Sequence, residues 1–246
     1  QFPPKGDLGT ERYLKKIAHL KKTKEAYKTY DEGRKALQKK NYSAAETLAT
    51  NALKIEPREA QFYGLQGDIY FAQKKHTKAL TLYDQAIQHN NQFFQYYMQR
   101  GLAKKELGNS TGAEHDLKIS LDLLPTATAY NALGEVSLAK GKRLEAKNYF
   151  KAAAVSNSAS GKQAAKSFIK LDLPDNPRNY IQATAVIDQE KKLRIKVENS
   201  SSLSVKGINI LARYTDEAKE IQQVPLSLSG TLQAGQRLFL PPEATA

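Results

Sequence analysis

Histidine, cysteine and clustered carboxylates are the side chains that most often hold metals or move protons. This 246-residue sequence uses them sparingly: its histidines are His19, His76, His89 and His115, and it has no cysteine. No HExxH pair puts two imidazoles on one helical face, and without thiolates neither a Cys-based zinc site nor a disulfide can form. Glu114, His115 and Asp116 are consecutive. Neighbours on a helix diverge by about 100°, so the trio cannot converge on one ion and reads as an exposed helix start. Gly161 and Lys162 sit together without the GxxxxGK[ST] framework of a phosphate cradle. The serine-rich stretches 156–160 and 200–204 lack a nucleophile elbow and read as polar loops. The expectation is a chain with no catalytic residues, no metal site and no cofactor.

The elements behind these residues belong to a folded protein. Apolar residues make up 40% of the chain and charged residues 26%, with ordinary glycine and proline content. The length allows one large domain or two small ones. No run reaches the roughly 18 apolar residues of a membrane span, and no segment resembles a signal peptide. The chain begins with Gln1 rather than Met, which leads to the expectation of a processed product or an excised part of something longer. Net charge is +13, and residues 1–177 hold 29 of the 38 Lys and Arg against 18 of the 25 acids. Such an excess attracts nucleic acid, anionic lipid or acidic protein at long range. The lysines nevertheless fall mostly on polar helix faces, as on a solvated surface.

Internal repetition is the dominant signal. Gly33, Gly67, Gly101 and Gly134 are spaced by 34, 34 and 33 residues. Ala45, Ala79, Ala113 and Ala146 repeat the same intervals, as do Ala52, Ala86, Ser120 and Ala153. Small residues at such positions mark close crossings of paired helices. Tyr63, Tyr97 and Tyr130 recur at one bulky position, and Tyr83, Leu117 and Phe150 at another, as packing of each hairpin on the next requires. Pro57 and Pro125 end two helices. Ser43 with Glu46, and Thr111 with Glu114, read as capping boxes. Leu14, Ile17 and Leu20 at helical spacing ahead of the repeats, and 163–169 behind them, read as end caps.

On these residues, residues 26–158 resemble the tetratricopeptide-repeat family. The stretch Tyr63, Gly67, Tyr70, Ala79, Tyr83 and Ala86 is the best match, while Thr29 and Ala49 depart from it in repeat one, and Asn91 and Ser158 replace a proline in repeats two and four. The resemblance implies a mainly α solenoid of four hairpins. Beyond Leu171, residues 172–177 break the helical pattern and read as a linker. Period-two alternation follows at Ile181, Ala183, Ala185 and Ile187, at Leu193, Ile195 and Val197, and at Ile208, Ile210, Ala212 and Tyr214. Further apolar segments lie at 224–228 and 238–240, and 189–191 and 216–219 supply connections of hairpin length. With the run Val197, Glu198, Asn199, Ser200, this order resembles small immunoglobulin-like modules of bacterial envelope proteins. The expected organisation is a capping helix in 1–25, the repeats with a final cap in 26–171, a linker in 172–177 and an all-β antiparallel sandwich in 178–246.

The tetratricopeptide resemblance also implies a groove lined by first-helix positions. Carried over singly, these are Tyr27, Tyr30 and Arg34, then Gln61, Asp68 and Phe71, then Gln95, Met98, Leu102 and Lys105, and finally Asn131, Glu135 and Leu138. Family members that clamp a C-terminal carboxylate with Lys and Asn carry those residues where this chain has Tyr30, Arg34, Asp68, Met98 and Leu102, so the clamp is missing. A protein or peptide partner with apolar side chains suits the lining. The same residues could instead contact the chain's own terminal helix. Three functions remain open at this point: a non-catalytic interaction scaffold; the non-catalytic tail of a larger enzyme; and nucleic-acid binding through the basic helices, for which no known reader motif is present. For the second, the layout and the stretch Pro3, Pro4, Arg12, Ile17 resemble bacterial zinc metallopeptidases with C-terminal tetratricopeptide repeats. The envelope-protein resemblance implies a periplasmic location, and a cytoplasmic one stays open beside it.

Overall fold

The computed structural model describes residues 7–187, 193–215 and 221–240, which fall into two compact units, residues 1–142 and 143–246. In the first unit a long helix, α1 (Asp7–Gln38), precedes α2 (Tyr42–Ile55), α3 (Ala60–Ala72), α4 (His76–His89), α5 (Phe94–Glu106), α6 (Ser110–Leu123) and α7 (Ala127–Ala139). The helices pair as α1 with α2, α3 with α4 and α5 with α6, each pair packing on the next. Helix α1 runs unbroken through the segment that the sequence reading separates as a cap, because no Pro or Gly interrupts residues 10–32.

The recurrent small residues are where the helices of a pair touch. Ala45, Ala79 and Ala113 are fully buried, as are Ala52, Ala86 and Ser120. A methyl group added at Gly67 would stand 2.4 Å from the Tyr83 ring, and one at Gly101 would stand 2.9 Å from Leu117. Repeat one solves the crossing differently. Where Tyr83 and Leu117 recur it has Ala49, and Leu65 of α3 fills the space, 3.1 Å from a methyl added at Gly33.

The helix caps differ from the expectation. Asn41 and Asn109, not Ser43 and Thr111, accept the first-turn amides, from Ala44 at 3.2 Å and Gly112 at 2.8 Å. Each helix starts one residue before the predicted serine or threonine because the preceding turn already sets the chain. Lys40, Lys74, Gly108 and Gly141 all take left-handed φ, between 59° and 77°, at the same 34, 34 and 33 spacing. The next amide in each case bonds back across the turn, for example Asn41 N to Ala36 O and Lys75 N to Tyr70 O, both 2.9 Å. This is the Schellman closure that glycine normally supplies.

The supposedly exposed Glu114–Asp116 start is also corrected. Asp116 is fully buried and receives Arg100 Nε at 2.8 Å, Arg100 Nη2 at 2.7 Å and Lys104 Nζ at 2.8 Å. Glu114 pairs with Lys118 and Lys140, whose hydrogen bonds hold its carboxyl down at about 2. The trio diverges as helix geometry requires, with only His115 exposed.

The second unit contains α8 (Arg143–Ala154), α9 (Ala159–Asp172), a 3-10 turn (Pro177–Asn179) and strands β1 (Ile181–Ile187), β2 (Leu193–Asn199), β3 (Val205–Thr215), β4 (Ile221–Leu232) and β5 (Arg237–Leu240). Helices α8 and α9 pack together, and Ser158 caps α9 through Gly161 N at 3.1 Å. The predicted linker is tied down at its start. Asp172 ends α9 and holds Lys147, Asn176 Nδ2 at 2.8 Å and Tyr180 OH at 2.7 Å. The strands form two antiparallel sheets, ordered β1-β2-β5 and β3-β4. Ile195 and Val197 of the first sheet share one apolar cluster with Ile208 and Leu232 of the second. Fully buried Asn199 fastens the loops below it through Leu203 O, Leu232 O and Ser201. Alternation misses one detail: Ala183 is exposed. The predicted connections at 189–191 and 216–219 lie outside the described residues.

Candidate functional site

The side chains carried over to the groove separate into three groups. Tyr30, Arg34, Gln61, Asp68 and Gln95 line one cavity of about 420 Å³ on the face built by α1, α3 and α5. Lys105, Asn131 and Glu135 form a second group, in which Glu135 accepts Lys105 Nζ through Oε2 and Asn131 Nδ2 at 2.9 Å through Oε1. Burial works against the Lys105 charge, but Glu135 and Glu106 outweigh it and raise its pKa. Met98 lies nearby, with Thr126 Oγ1 3.7 Å from its sulfur, and Leu102 is half-buried.

The rest do not line this cavity. Tyr27 donates to Glu59 at 2.7 Å, which together with burial pushes its hydroxyl up to about 12. Its ring packs edge-on to Phe62, so it supports the cavity rather than lining it. Phe71 packs against His76 and the Ala79–Tyr83–Ala103 core and is not among the residues lining the cavity. Leu138 is exposed at the end of α7.

Asp68 is the chemical centre of the first group. Its Oδ1 accepts Tyr83 OH at 2.8 Å and Gln99 Nε2 at 3.0 Å. Burial pushes its carboxyl up to about 6, against the pull of those two hydrogen bonds and of Arg34. Arg34 makes no ion pair with it: the guanidinium reaches Asp31 at 4.0 Å and lies 5.7 Å from the Tyr30 ring centre. Tyr96 also lines the cavity, with only 4% of its surface exposed, and its hydroxyl has no hydrogen-bond partner among the described residues. Burial raises the pKa of Tyr96, so it stays neutral.

Several lining residues escape a carry-over by family position: Leu37, Leu65, Tyr83, Phe93, Tyr96 and Gln99. One sequence signal points to them. Gly64 stands three residues before the register glycine Gly67 and belongs to none of the recurrent series. A methyl added there would lie 2.7 Å from Tyr96, so the second glycine exists to admit that ring.

The tetratricopeptide-repeat family model matches residues 30–92. No curated protein matches the chain. Among solved structures, Pseudomonas aeruginosa pilF is similar at 20% identity over 63% of this chain and 71% of that one, with a TM-score of 0.57. The MamA protein is 19% identical over 63% and 84%, with a TM-score of 0.52. A thermophilic tetratricopeptide-repeat protein from Thermus thermophilus is 22% identical over 59% and 80%, again at 0.52. These likenesses are of fold. The helical region is a tetratricopeptide-type solenoid, a fold that typically mediates protein–protein interaction and is typically non-catalytic. Among the described residues no helix is long and apolar enough to cross a membrane, and no group of His, Asp and Glu is placed to hold a metal ion.

Proposed function

We propose that the chain is a non-catalytic scaffold that holds an extended segment of another protein on the face built by α1, α3, α5 and α7. One observation supports this above the rest: a half-open cavity with aromatic and aliphatic walls, Tyr30, Leu37, Leu65, Phe93 and Tyr96, floored by polar groups. Apolar side chains of a partner would gain most by leaving water there, and Gln61, Gln95 and Gln99 offer hydrogen bonds to its backbone. A photo-crosslinking residue placed at Gln95 should capture a partner that the same residue at His115, on the far side of α6, does not. Changing Tyr30 and Phe93 to alanine should abolish that capture. Undiminished capture by the double variant would sink the groove reading.

The strand module supports a narrower reading of the whole. Two small antiparallel sheets around Val197 and Leu232, fastened by buried Asn199, suit an immunoglobulin-like sandwich of the kind found in bacterial envelope proteins. With the stretch Pro3, Pro4, Arg12, Ile17 and its metallopeptidase resemblance, this supports reading the chain as the recognition part of a periplasmic zinc metalloprotease. An HExxH helix encoded upstream in the same reading frame is the expected finding, and a frame without one would remove the protease reading.

A further inference from the structure

Positions that share a register in different repeats should share surroundings, and two carboxylates test this. Asp68 and Glu135 both follow the register glycine directly, Gly67 and Gly134. Glu135 is satisfied from within the chain by Lys105 and Asn131. Lys105 stands four residues after Gly101, and Asn131 three before Gly134. The equivalent positions around Asp68 are four after Gly33 and three before Gly67, and they hold Leu37 and Gly64. Both internal partners of the carboxylate are thus deleted, and the cavity lies where they would have been.

What replaces them is neutral and incomplete. Tyr83 and Gln99 both donate to Oδ1, fixing the carboxylate, while Oδ2 receives no hydrogen bond among the described residues. Among those residues Asp68 is the one carboxylate lining the cavity, and Arg34, its one cation, lies beside Asp31 and the Tyr30 ring and forms no ion pair with Asp68. Tyr96 lines the same space, and its buried hydroxyl has no partner among the described residues. An acceptor at the bottom of a cavity walled by Tyr30, Phe93 and Tyr96 suits a long side chain with an apolar stem and a charged tip.

We infer that this cavity is a pocket for a lysine or arginine side chain of an extended partner segment, with Asp68 Oδ2 as its acceptor and Tyr96 OH as a second contact. The inference rests on the groove reading given above and adds the chemistry of the occupant. The partner supplies across the interface the cation that Lys105 supplies internally to Glu135. A carboxylate-bearing segment is rejected by the same group, so the pocket selects in the sense opposite to a carboxylate clamp.

Random nonapeptides displayed on phage can be selected on the intact chain, with the Tyr30→Ala/Phe93→Ala variant as counter-selection. Groove-dependent binders should share one Lys or Arg beside apolar residues. In the synthetic consensus peptide, replacing that residue by norleucine should weaken binding about tenfold or more, the scale of a lost charge-assisted hydrogen bond. On Asp68→Asn, which keeps both Oδ1 hydrogen bonds, the same replacement should cost little. Affinity should fall about tenfold between pH 7 and 5 as Asp68 takes up a proton, and stay flat for the variant. The groups facing Asp68 do not share that titration: Tyr30, Tyr83 and Tyr96 have raised pKa values, Gln99 carries no ionisable group, and Arg34 is the one guanidinium lining the cavity. Groove-dependent binders without a basic residue, or an equal norleucine effect on Asp68→Asn, would overturn the inference and leave the groove reading standing. No groove-dependent binder at all would overturn both.

Discussion

Gly67→Ala sets two effects of opposite sign against each other. Glycine inside a helix costs roughly 0.5–1 kcal/mol relative to alanine, so local propensity alone says that the substitution stabilises α3. The packing says the reverse. The new methyl would stand 2.4, 2.7 and 2.9 Å from three atoms of the Tyr83 ring, where carbon atoms settle at about 3.5–4.0 Å. The ring must retreat by about 1 Å, yet it is fully buried and its hydroxyl is bonded to Asp68. Overpacking costs about 1–3 kcal/mol, and so deep an overlap with a fully buried ring belongs at about 2–3 kcal/mol, which leaves a net loss of about 1–2 kcal/mol. In a chain of this length the melting temperature should fall by roughly 2–8 °C, followed by circular dichroism at 222 nm. In a Tyr83→Ala background the clash is gone and Gly67→Ala should raise stability by about 0.5 kcal/mol or more. A melting temperature unchanged or raised with Tyr83 in place would refute the claim that the repeat glycines are packing positions.

Asp116→Ala leaves Lys104 beside a buried hole without its partner and Arg100 with Asp84 alone, so urea denaturation should show a loss of about 3 kcal/mol, against little for the exposed neighbour change His115→Ala. Lys40→Gly and Lys74→Gly relieve left-handed backbone at φ 59° and 60°, and each should raise the melting temperature by the equivalent of roughly 0.5 kcal/mol. Asp68, with its pKa raised to about 6, binds a proton in the folded chain that the unfolded chain lacks between about pH 4 and 6. The contribution is present below about pH 4 and is lost as the pH rises through about 6. Asp68→Asn should therefore stabilise the empty protein at about pH 7.5, by roughly 2 kcal/mol, and change it little at about pH 4.

The sequence carries the helical pairs because their crossings demand small residues at a fixed period, and Gly67, Gly101, Ala79 and Ala113 can be read without coordinates. The strands are equally legible, since alternation at Ile195 and Val197 reflects a face that must be buried. Other features leave weaker traces. Lys40 and Lys74 adopt a backbone that usually announces itself as glycine, so their periodic turn is hidden in residues that look like surface charge. Asp116 sits in a polar run, and only its helix phase relative to Arg100 and Lys104 shows that it points inward. Family position carries Phe71 to the groove, but its side-chain direction depends on what α4 and α5 offer it, which no single-helix pattern encodes.

The division of labour within the repeat follows from this. Positions that must be identical for one hairpin to stack on the next, such as Gly67 or Ala79, have no chemical freedom left. The position just after the glycine has no such constraint, and there the four repeats carry Arg34, Asp68, Leu102 and Glu135. Glu135 is neutralised at once by its own chain, whereas Asp68 remains an acceptor held in place by Tyr83 and Gln99. A charge kept in a half-buried cavity at a cost to stability is what the basic side chain inferred above would offset from a partner, as Lys105 offsets Glu135 from within the chain.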